Sequence, residues 1–118
     1  MAKADRLERL DIRRVDMEED YLRLLVSALQ RSAAGSWGLF GHNQDRPSLA
    51  KWAVPVKELC DLGQEIDKVR DALGLEAFAL HQEFEASRGA VATTAPGEPK
   101  QARAWLARLG IPAESVGG

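Results

Sequence analysis

The chain has 118 residues, 45% of them hydrophobic and 29% charged, with 16 basic residues against 18 acidic ones and a net charge of −2. Such a balance fits one globular domain with a real core, and it argues against whole-chain disorder and against a general nucleic-acid binder, whose footprint is basic. Aromatic residues make up only 6% and there is one cysteine, Cys60, so the expected core is Leu, Val and Ala and no intrachain disulfide can form.

From about Ala4 to Ala34 the residues read as one helix. Leu7, Leu10, Met17, Tyr21, Leu24 and Ala28 recur in steps of three and four, with Arg14 as the single polar break. A second row, Leu22, Leu25, Val26 and Leu29, predicts burial on more than one side in the later half. Asp16 and Glu19 have the spacing of a capping box, which makes a break near Val15 the alternative. The absence of Gly and Pro before Gly35 favours continuity.

Gly35 to Pro47 follows as a loop of unusual composition, with three glycines, Trp37, Phe40, His42 and Asn43 within ten residues. Connections are usually short and polar, so a loop this rich in large rings either anchors the fold or binds something. Ser48 is placed to cap a short turn, Leu49 to Val54, and Pro55 suits the first position of a helix. Val56, Leu59, Leu62, Ile66, Val69 and Leu73 then mark the clearest amphipathic helix, ended by Gly74. Leu75 to Arg88 reads as a third helix and residues 89–99 as a linker. Lys100 to Leu109 reads as a fourth, opened by Pro99 and stopped by Gly110, Ile111 and Pro112; residues 112–118 form a loose tail. The predicted fold is all-α: one domain, a compact bundle of about four helices with a long first helix and a Gly/aromatic loop after it.

Chemistry is sparse. With His42, His81 and Cys60 as the nitrogen and sulfur donors, a zinc site lacks its three or four convergent ligands, and no metal or other cofactor is expected. His81 and Glu85 share a helical face, a spacing common among surface charge pairs. Acidic neighbours and burial both disfavour the Cys60 thiolate. Neither a nucleophile elbow nor a phosphate loop occurs, and no catalytic residue is assigned. Trp105 is expected in the core; Trp37 and Trp52 divide between core anchoring and lining a ligand.

Two functions remain. The first is a non-catalytic interaction or regulatory module. Here residues 1–15 protrude as a helical arm whose Leu7, Leu10 and Met17 are covered by a protein partner or a second copy. The second is an enzymatic or ligand-binding domain for an anionic small molecule, its site formed by Trp37, Phe40, His42, Asn43 and Arg46. The N-terminal residues lack the apolar stretch of a signal peptide and no run reaches the ~20 apolar residues of a spanning helix, so a cytoplasmic location without membrane contact is the expectation. Abundant Ala and Arg with scarce Lys suggest a GC-rich bacterial genome.

Overall fold

The computed structural model describes residues 2–35, 39, 46–87 and 98–112, and these form four α-helices with no strand among them. They are α1 (Ala2–Ala33), α2 (Arg46–Ala72), α3 (Ala79–Ser87) and α4 (Glu98–Leu109). α1 runs unbroken through Val15. Arg14 reaches back to Asp11 at 2.8 Å and forward to Glu18 at 3.1 Å, so side-chain pairs staple the helix across the point where a cap competes.

α2 is antiparallel to α1: Glu18 of α1 pairs with Arg70 near the end of α2, whereas Arg31 stacks on Trp52 near its start. The expected turn at Leu49–Val54 is instead the first half of α2, and Pro55 lies inside the helix. A proline there forfeits a backbone hydrogen bond and costs about 3 kcal/mol. The buried stripe Trp52, Leu59, Gly63 and Ile66 continues across it in helical register, and burial of Trp52 offsets that cost.

α3 is shorter than the predicted Leu75–Arg88. Three hydrogen bonds hold residues 75–78 off the helix: Leu75 N–H donates to the Arg70 carbonyl at 2.8 Å, Phe78 N–H donates to Asp67 Oδ1 at 2.8 Å, and Arg70 Nε donates to the Glu76 carbonyl. α2 and α4 end alike. Gly74 and Gly110 both sit at φ 73°, and the following residue, Leu75 or Ile111, closes a six-residue ring onto the helix. An L side chain resists that backbone angle, which is why glycine marks both stops. Of the two, Ile111 also packs on the core.

The core gathers Leu25 and Leu29 of α1, Leu59 and Ile66 of α2, and Ala102 and Leu106 of α4. It is richer in rings than the composition led us to expect, since Tyr21, Trp52, Phe84 and Trp105 are all buried. Trp52 and Trp105 therefore anchor the core. The second apolar row of α1 divides: Leu25 and Leu29 are buried, Val26 is half-buried and Leu22 is exposed. Leu24 of the first row is exposed as well.

α2 ends two residues beyond Arg70, so the first dozen residues of antiparallel α1 run past it, a projection of about 18 Å at 1.5 Å per residue. Every side chain from Asp5 to Arg13 is exposed except half-buried Leu10. The molecule is elongated accordingly: it measures 54 × 30 × 24 Å, with a radius of gyration of 16.0 Å. A compact domain of this length would have about 13.5 Å.

Candidate functional site

Two constellations emerge. The first is internal. Tyr21 of α1 has no solvent exposure, and its hydroxyl lies 2.8 Å from Nδ1 of His81 on α3, itself 2% exposed. Nε2 of His81 lies 2.8 Å from Oε1 of Glu85, one turn on. An ionised carboxylate only accepts, so the tautomer that serves both bonds has Nε2 donating to Glu85 and a neutral ring's Nδ1 accepting from the Tyr21 hydroxyl. The ring rests on α2 at Gly63, where an added methyl group would fall inside contact distance of three imidazole atoms. His81 is thus a buried tie between helices through Tyr21 and Gly63, and only Glu85 of the His81–Glu85 pair reaches the surface that the spacing suggested for both.

Around this tie the contacts are aromatic and cationic. Tyr21 meets both Phe78 and His81 edge-on at 5.3 Å between ring centres. Arg70 lies over Phe78 and donates to Glu18 at 2.7 Å, while Arg14 donates to the same Glu18 oxygen. The chain Arg14–Glu18–Arg70–Phe78–Tyr21–His81–Glu85 links α1, α2 and α3. Buried at Tyr21 and His81 and bonded along its length, it fixes geometry; the Tyr21 hydroxyl is sealed from solvent and presents no reactive atom to a substrate. Burial, reinforced by nearby Cys60, Glu85 and Asp67, holds that hydroxyl's pKa well above its ordinary value of 10.0.

The second constellation is the outer side of α1. Ile12, Val15 and Leu22 are 56%, 40% and 39% exposed, and half-buried Val26 continues the row; with Glu19 between Val15 and Leu22 the steps are of three and four residues. Glu19, Leu22, Arg23, Val26, Ser27 and Gln30 line a shallow, largely apolar groove of about 440 Å³. A second hollow on the arm lies among Asp5, Arg6, Arg9, Leu10 and Arg13.

Of the residues singled out for an interface, Leu7 is 41% exposed, Leu10 is half-buried and Met17 packs against the core. They do not form one open face. The more exposed row, Ile12–Val15–Leu22, is legible in the sequence as steps of three and seven residues on one helical face; it was masked by the stronger Leu7–Tyr21 row. Trp37, Phe40, His42 and Asn43 lie outside the described residues. Arg46, read as part of the loop, is instead the first residue of α2, and its side chain lies outside them too. Leu39 is fully buried in the core. At that end of the bundle Ser32 Oγ and Trp52 Nε1 are buried without a hydrogen-bond partner among the described residues. No group of three or more His, Cys, Asp or Glu side chains suited to a metal ion occurs among the described residues. None of their helices is long and apolar enough to cross a membrane.

No protein-family model, curated protein or solved structure matches this chain.

Two predictions follow from the internal tie. Gly63→Ala should destabilise the protein by about 1–3 kcal/mol through overpacking, despite a helix-propensity gain of up to ~1 kcal/mol. Placed on His81→Ala, which empties the space, the same change should be neutral or stabilising. A denaturant double-mutant cycle reads the difference; a stabilising Gly63→Ala in the intact protein would contradict the packing. The second concerns pH. Tyr21 is the chain's single tyrosine, so phenolate absorbance reports it alone. Its folded pKa lies above its unfolded one, so the stability it contributes is full below pH 10 and declines above it, by up to about 1.4 kcal/mol per pH unit. Phenolate absorbance should therefore appear only with unfolding, and Tyr21→Phe should flatten this part of the alkaline slope.

Proposed function

We propose that this protein is a non-catalytic helical interaction module that recognises a protein partner through the outer side of α1. One observation carries the reading: the bundle grips α1 from Arg14 onward, while Ile12, Val15 and Leu22 stay exposed in helical register along it. A row of large apolar side chains on a rigid helix is the form in which helices bind helices or grooves. The burial of Tyr21 and His81 and their hydrogen bonding support the same view, because they hold α1 as a fixed platform.

A benzophenone-bearing residue substituted at Ile12 should give a specific higher-mass adduct on irradiation of intact source cells. The same probe at Lys57, an exposed site on α2, should give none. Absence of an adduct from Ile12, or equal labelling from both positions, would overturn the reading.

The unpartnered Ser32 Oγ and Trp52 Nε1 favour a second reading, since buried polar groups usually find partners. In it, Trp37, Phe40, His42, Asn43 and Arg46 form a pocket for a small carboxylate or phosphate at the loop end of the bundle. A panel of such anions should then raise the thermal midpoint, with the gain lost in His42→Ala. A midpoint unmoved by every anion removes this reading.

A further inference from the structure

Resting on the interaction-module reading, the geometry points to a second copy of this chain as the occupant of the α1 stripe, its α1 packed antiparallel to the first. The same helix carries both halves of the contact. Ile12 and Val15 protrude near the arm, and the apolar groove at Leu22, Val26, Ser27 and Gln30 lies about three turns further on. A two-fold axis passing between Asp20 and Tyr21 sets Val15 of each copy on Val26 of the other. It brings Ile12 to the Gln30 end of the partner's groove and lays Leu22 along the methylenes of the partner's Glu19. The three- and four-residue steps of Ile12, Val15, Glu19, Leu22 and Val26 keep this seam in register over its whole length.

Charge selects the orientation. Antiparallel packing places Asp16 and Glu19 beside the partner's Arg23, and the symmetry repeats both pairings. Parallel packing would set Glu19 on Glu19 at the centre of the seam, a like-charge pair that disfavours it. Arg23 can serve: its side chain is 75% exposed and, among the described residues, is bonded to Asp20, one turn back on its own helix. An isologous contact of this kind closes on itself, giving a dimer and no larger array.

One pair of helical faces makes a small interface, so association in the micromolar range is expected. Light scattering and sedimentation of the full chain, from about 1 to 300 µM, should show the mass rise from one 12.9 kDa chain to two. Register is read by cysteine pairing in a Cys60→Ser background. A mixture of Val15→Cys and Val26→Cys chains should form the mixed disulfide on mild oxidation, and neither should cross-link efficiently alone. Arg23→Asp should lower the dimer fraction at least tenfold, and adding Asp16→Arg should restore it; both sites are exposed, so folding is spared. A chain that stays monomeric at the highest concentration, or Val15→Cys that links to itself, overturns the proposal. In the monomeric case an adduct from Ile12 in cells would leave the module reading standing with a different partner, whereas no adduct would end both.

Discussion

The Tyr21 hydroxyl holds the His81 ring, and that ring occupies a space on α2 that only glycine leaves open. The rest of the arrangement depends on this contact. It joins three helices at one point, by a polar bond to α1 and a steric fit to α2. A buried imidazole without its partners would cost several kcal/mol, so the position of α3 is set within narrow limits. α3 in turn begins where Phe78 can lie between Tyr21 and Arg70, and Arg70 reaches Glu18 from the same place. The last link outward is Arg14. Beyond it α1 leaves the body, and the internal tie thereby decides how much of the longest helix remains uncovered.

Much of this was legible in the sequence, because helices that bury one face record it as spacing. Leu59, Ile66 and Val69 on α2, and Ala102, Trp105 and Leu106 on α4, are buried where their periodicity placed them. Gly74 and Gly110 stopped their helices because backbone angle is a local property. What escaped were matters of tertiary context. Pro55 reads as a helix start by any local rule, yet the burial of Trp52 one turn earlier carries the helix through it. His81 and Glu85 have the same spacing whether they face water or the core. The deciding residue, Gly63, lies in another helix and has no side chain to register in any periodic pattern. Residues 75–78 were lost to the third helix because their hydrogen-bond partners, Asp67 and Arg70, belong to α2. The candidate interface suffered likewise: Leu7, Leu10 and Met17 form one row on paper, but Met17 belongs to the core.

The division of α1 into a gripped and an ungripped length gives its two apolar rows different duties. The inner row, through Tyr21, Leu25, Ala28 and Leu29, builds the body. The outer row, from Ile12 to Val26, starts on the arm and continues along the body. A partner bound there, as proposed, would be held against a rigid surface, which would spare part of the entropy cost of ordering a loose segment on binding.

The most direct test of this account is amide hydrogen exchange along α1 at two protein concentrations that bracket association. Amides from Tyr21 to Ala33 should exchange slowly and at the same rate at both, because the internal tie and the core protect them. Those from Leu7 to Val15 should exchange quickly in the dilute sample and slow down in the concentrated one, as a partner helix covers them. Rapid exchange throughout α1 would contradict the anchoring of the helix by Tyr21 and His81. An arm whose exchange does not respond to concentration would contradict the self-recognition proposed for it.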